Sequence, residues 1–372
     1  MRTALLWTTT ASALALSVLL CSNLFASEVS SVGSGTDARW VAATRYEMHG
    51  LTEEAVAEYL RLLATDPENE AARDRVMVLV GREMPQWLPE EAEKAAPFKC
   101  QAVEMAFGQG EEKAEQRLLI TQEGFGAREG ERWDELHETG FKHIDYGYVW
   151  QPSRKRYEVR VAAHWEEPGQ HPIAHNALGA TLAFYCLAKE LLGLDPTKPW
   201  GDPVDVWVTN KGQPGARAQG RAIYLYSAKT PRPAGEWLRE IAHEYGHVSF
   251  PGLGGFTETD DEWVDGHLAE LLFPKWLTAS GAAWLSWPVA EWECEASTER
   301  QRLIGLVGSG ELDKARLAGK DKAARDYLLG LALRFEQTEG PEALGKALKK
   351  CARGTAAGFG KAVRDLPRKD GA

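Results

Sequence analysis

The chain has 372 residues, 44% of them hydrophobic and 26% charged, with a formal net charge of −11. That length holds two ordinary domains, or one large domain with an appendage, and the composition excludes a wholly disordered chain. The acidic balance, with no long basic cluster to offset it, argues against a nucleic-acid or anionic-membrane surface.

The first residues, MRTALLWTTTASALALSVLLCSNLFAS, predict an export signal over residues 1–26. Arg2 supplies the positive start, Ala11 to Cys21 the apolar run, and Ala26 the end of a cleavage site. An uncleaved membrane anchor is one alternative, although the run hardly reaches spanning length. A lipid on Cys21 is another, against which Leu20 stands where a small residue is wanted. The expected location is therefore exported, periplasmic or secreted. Cys100, Cys186, Cys294 and Cys351 remain, and in an oxidising compartment they permit one or two disulfides. Their scatter, without a C-x-x-C pair, argues against a cysteine zinc site.

After a Ser/Gly-rich stretch, residues 38–80 predict a helical pair with Gly50 at its turn. The segment resembles one tetratricopeptide repeat: Ala43, Tyr46, Ala55, Tyr59, Leu62 and Pro67 fall where that repeat interlocks its helices. An ordinary helical hairpin is the alternative. One repeat cannot bury both its faces, so packing on a helix from Ala71 onward, or on the main domain, is expected. The resemblance also implies a possible protein partner at this segment. Residues 81–97, with three prolines and many charges, read as a linker.

From Phe98 the pattern changes to short alternating or aromatic runs. KCQAVEMAF, QRLLITQEGF, HIDYGYVW and RYEVRVAAHW predict strands, the last two joined by the hairpin-like QPSRK. HNALGATLAFYCLAKELLGL, 175–194, predicts a helix ending near Gly193. PVDVWVTN and RAIYLYS are further strands, with the Gly-rich KGQPGARAQG as a loop between them. Everything after Pro231 reads as helical. The fold class expected is α+β, with a mainly β part over 98–233 and a helical part over 234–368.

In the helical part lies EWLREIAHEYGHVSFPG, residues 236–252. His243 and His247 stand at i and i+4, about 40° apart around a helix, so both reach one ion. Glu244 follows the first histidine, where it would sit beside a metal-bound water and take its proton. Trp237, Leu238, Ile241, Tyr245 and Val248 supply the apolar face of a real helix, and Pro251 stops it.

With its preceding strand and a following acid-bearing helix, the segment over about 205–350 resembles the gluzincin metallopeptidases. The strand RAIYLY is of the type that edges the cleft in such zincin domains. The resemblance implies Zn2+ at His243 and His247, Glu244 as general base, and a glutamate on the next helix as third ligand. The metzincin pattern fails, because no histidine lies six residues past His247. In GFTETDDEWVDGHLAELLFPKWL two glutamates compete. Glu262 also reads as the end of a Thr259–Glu262 capping box. Glu270 lies among leucines, where a carboxylate needs a partner such as zinc, and is favoured. Gly266, one turn earlier, leaves room for the facing helix. The spacings to both glutamates depart somewhat from those of well-known members. Asp265 and His267 read as groups that hold a ligand histidine. Tyr327, on a later helix, stands at a distance comparable to the oxyanion-donating tyrosine of aminopeptidase-like relatives; its alternative is a core tyrosine. His164, His171 and His175 read as surface or core-edge residues without fixed metal geometry.

The function expected is a zinc metallopeptidase acting on a peptide or protein substrate. The alternatives are a zincin-like domain that has lost activity and serves as a repeat-linked scaffold, and a structural zinc site.

Overall fold

A computed structural model describes residues 35–107, 114–126, 132–134, 139–197, 203–257, 263–282, 284–307, 313–351 and 355–366. The predicted export signal, Glu262 and the Thr259–Glu262 capping box lie outside the described residues. The chain divides into two compact units, one up to Pro97 and one from Phe98 onward.

The first unit is helical. Helices α1 (Gly35–Met48), α2 (Thr52–Thr65) and α3 (Glu70–Arg82) follow one another. Gly50 adopts φ +71, the left-handed backbone that the tight turn after α1 requires. Ala43, Ala55, Tyr59 and Leu62 are buried, and Trp40 meets Tyr59 edge to face at 5.3 Å. The Asn69 side chain accepts from the Ala72 N–H at 3.0 Å and so starts α3. The stretch expected as a plain linker carries the last residues of α3, a short strand β1 (Trp87–Pro89) and a short helix α4 (Ala92–Ala95). Leu88 and Ala92 are buried, which a free linker would not allow.

The second unit is a mixed α+β domain. Its strands are β2 (Cys100–Phe107), β3 (Ala114–Thr121), β4 (Phe125–Gly126), β5 (Arg132–Asp134), β6 (Thr139–Phe141), β7 (His143–Gln151), β8 (Arg156–Trp165), β9 (Val204–Val208), β10 (Gly215–Gln219) and β11 (Ala222–Tyr226). The main sheet runs β10-β11-β9-β8-β7-β3-β2, with β4 paired beside β7. Pairing is antiparallel except at β8–β9 and β9–β11. The β5–β6 pair forms a separate hairpin. The Gly-rich segment expected as a loop supplies β10, and β10, not RAIYLY, is the outer strand. Gly220, at φ +60, lies in the turn that brings this polar strand antiparallel to β11.

Helix α5 (His171–Leu192) is the crossover between the parallel strands β8 and β9. Leu178 and Leu182 press on Gly147 of β7, where an added Cβ would lie 3.0 Å from Leu182. Val161, Ala163 and Trp165 share that core, and Phe184 stacks on Phe273 at 4.6 Å. The chain after α5 continues, beyond β11, as α6 (Ala234–Ser249), α7 (Asp265–Ser280), α8 (Val289–Gly305), α9 (Lys314–Ala318), α10 (Lys322–Glu339), α11 (Pro341–Lys350) and α12 (Ala356–Arg364). The opposite sheet face carries a smaller cluster of Phe141, Trp207 and Tyr224. No disulfide joins Cys100, Cys186, Cys294 and Cys351. Among the described residues no helix is long and apolar enough to cross a membrane.

Candidate metal centre

Trp237, Leu238, Ile241, Ala242 and Tyr245 bury one face of α6 in the core. The same helical spacing turns His243 and His247 to another face, where their side chains keep 16% and 21% exposure and could meet a solute. Their ring centroids lie 4.7 Å apart. Glu244 is buried beside them on the same helix.

The start of α7 closes onto that face through two glycines. An added Cβ on Gly246 would lie 2.5 Å from the Asp265 carbonyl oxygen, and one on Gly266 would lie 2.6 Å from His243 Nε2. The room expected from Gly266 is therefore used, and by the ring of His243 itself. This close crossing delivers two acids to the two imidazoles. Asp265 Oδ1 lies 3.1 Å from His247 Nδ1, and Glu270 Oε1 lies 2.5 Å from His243 Nδ1.

Glu270 also has His267 Nδ1 at 3.4 Å, and His267 Nε2 has Arg325 Nη1 at 3.3 Å. A guanidinium only donates, so it fixes His267 with the proton on Nδ1, directed at Glu270. Burial pushes the Glu270 carboxyl up, but hydrogen bonds from His243 and His267 outweigh it and hold the group at about 2. The donor atoms of His243, His267 and Glu270 all lie within 4.8 Å of one another. Donors sharing a tetrahedral ion at 2.0–2.1 Å stand about 3.3 Å apart. The His243–Glu270 approach is shorter than that, and shorter than an ordinary charge-assisted N–H···O bond. Asp265 lies at hydrogen-bond distance from His247 Nδ1 and can hold that ring. Glu270 and the imidazoles grouped with it form a donor set that fits zinc.

Tyr327 is placed differently from the role expected of it. Its hydroxyl accepts from the Asp313 N–H at 2.9 Å, and Arg316 lies over its ring, so it braces the start of α9. Arg325, two residues earlier on α10, is the group that reaches the histidine cluster. The sequence offered no signal for Arg325 beyond its place on that helix.

A second cluster involves histidines expected from the sequence to be surface or core-edge residues without fixed metal geometry. Helix α5 begins at His171, four residues before the expected start, with Pro172 in its first turn. That extra turn puts His171 and His175 on one face, beside the buried Asp145 of β7. Burial lowers the His175 pKa, Asp145 opposes this, and His171 and Lys99 add to it. His164 is not part of the cluster; it stacks on Trp207 at 3.8 Å and has Asp205 Oδ1 at 2.7 Å.

Compared with known proteins, the sequence matches no family model, and no curated protein matches it.

Proposed function

We propose that this chain is an exported zinc peptidase of the gluzincin kind, in which His243, His247 and Glu270 hold the ion. The observation that carries this reading is the close α6–α7 crossing, which puts an acid against each histidine of H-E-x-x-H while Glu244 stays beside them. In this reading Glu270, grouped with His243, is the third ligand, and Asp265 is the acid that orients His247. Zinc supplies a Lewis acid that polarises the scissile carbonyl and lets a water ionise near neutral pH.

The chain's own residues do the rest. Glu244 takes the proton from the attacking water and returns it to the leaving amine. Asp265 holds the His247 ring in orientation through Nδ1, and the Arg325–His267 pair holds Glu270. A peptide substrate is favoured by β10, the outer strand of the sheet, which packs against α6. An extended peptide can add to such an edge through main-chain hydrogen bonds. The exported location rests on the predicted signal. The exposed Val41, Met48, Leu51, Met77 and Val78 support a protein contact by the tetratricopeptide-like unit.

The test is metal content and peptide cleavage by the protein purified without chelator. One equivalent of zinc should disappear on replacing both His243 and His247 by alanine, and cleavage with it. Cleavage that survives that double replacement would sink the reading.

A further inference from the structure

We propose that Asp145, His171 and His175 form a second zinc site, which pins the start of α5 to β7. None of these residues belongs to the site on α6 and α7, so the proposal stands independently of the peptidase reading.

Asp145 is fully buried and held in one orientation. Its Oδ1 accepts from Thr121 Oγ1 at 2.8 Å and from the Gly124 N–H at 3.1 Å. Gly124 makes that donation from a φ of +63, under the Trp165 ring, where an added Cβ would lie 2.7 Å from the indole. With Oδ1 committed, Oδ2 is left directed at His171 Nε2, 3.1 Å away. A carboxylate at this depth needs a compensating cation.

His175 supplies the second, independent observation. Its Nδ1 is buried and makes no hydrogen bond. Buried polar atoms are almost always satisfied, and an Asp145–His171 hydrogen bond does nothing for this one. An ion between the three side chains satisfies it together with Oδ2 and the His171 nitrogen. The donor atoms lie within 4.8 Å of one another, and the Asp145–His171 separation is already near the ~3.3 Å of donors sharing a tetrahedral zinc. Two imidazoles and one carboxylate suit zinc, with the fourth position left to water. His171 is 35% exposed, which gives the ion a way in.

The test is a zinc titration of the chelator-stripped full chain against a chromogenic indicator, repeated with Co2+ to read ligand-field absorption. The starting protein should take two equivalents. The His243→Ala/His247→Ala variant should keep one, and adding His171→Asn to it should leave none. His171 is partly exposed, so that variant should fold, and circular dichroism checks it. Asp145→Asn on the same background should also remove the remaining equivalent. The proposal is overturned if the double-alanine variant binds no zinc, or if its single equivalent survives His171→Asn. A starting protein that binds one ion, lost on His171→Asn but not with His243 and His247, would support this site and defeat the peptidase reading.

Discussion

The Glu270 carboxylate stands against His243 Nδ1, and the two belong to one group of donor atoms able to hold an ion. The other acid, Asp265, keeps 3.1 Å from His247 Nδ1. Replacing each acid should separate their roles. Glu270→Gln should strip the metal, whereas Asp265→Asn should retain it with affinity lower by about 10–100-fold, the usual effect of losing an orienting partner. Zinc content after dialysis against a graded metal buffer measures this. The reverse order would make Asp265 the ligand.

Glu244→Gln should keep zinc and the fold but lower turnover by roughly 10²–10⁴-fold, because it removes the general base and leaves both imidazoles. Single-turnover peptide cleavage, with zinc measured on the same sample, checks it. Undiminished turnover would mean that another group takes the proton.

Tyr327→Phe should leave turnover unchanged and lower stability by about 1 kcal/mol, since it removes the acceptor for the Asp313 N–H and keeps the ring. Chemical denaturation and turnover, compared on one preparation, decide. A turnover loss of about 10²-fold with stability intact would return the hydroxyl to the oxyanion role.

Gly266→Ala should cost about 1–3 kcal/mol and weaken zinc binding together, because the new methyl meets a His243 ring already tied to Glu270. Ala at an ordinary helical position would instead be stabilising. A melting temperature equal to or above that of the starting protein would show that the crossing has slack.

The Glu158 carboxylate gives a pH prediction remote from the metal. Burial pushes its pKa up, but hydrogen bonds from Arg154 and Arg156 and the charge and hydrogen bond of Arg160 outweigh this and lower it from 4.5. A depressed folded-state value means stabilisation that is complete above the unfolded value and is lost as pH falls through the lower folded one. Glu158→Gln should therefore lower stability near pH 7, with the difference from the starting protein shrinking below about pH 4.5. Urea unfolding at a series of pH values tests it. A difference that grows on acidification would contradict the sign.

The helix around His243 was legible because its apolar stripe, its acid and its two histidines obey one period, and Pro251 marks its end. Strands β2, β3, β7 and β8 were legible by alternation, whereas the short β5 and β6 were not. Less visible was anything set by where an element begins. Starting α5 at His171 rather than His175 put His171 on the helix and on one face with His175. The partners of the α6 histidines depended on an interhelical contact that local composition does not report. The place of Glu270 among leucines suits a metal ligand and equally an acid bonded to two imidazoles, so composition alone does not separate the two. Strand β10 was hidden in a glycine-rich segment because strand pairing there overrides weak local preference.

The contact of Gly246 with the backbone at Asp265 and Gly266 brings two main chains together with no side chain between them. Side chains elsewhere in the core can exchange rotamers or lose a methylene and let their neighbours relax. A main-chain contact has no rotamers with which to do so. The separation between the α6 histidines and the α7 acids is thus fixed by the thickness of the peptide backbone, a dimension that substitution of the surrounding core does not change. Mutational drift in the leucines and phenylalanines around α5 and α7 should consequently lower the unfolding temperature well before it alters metal affinity.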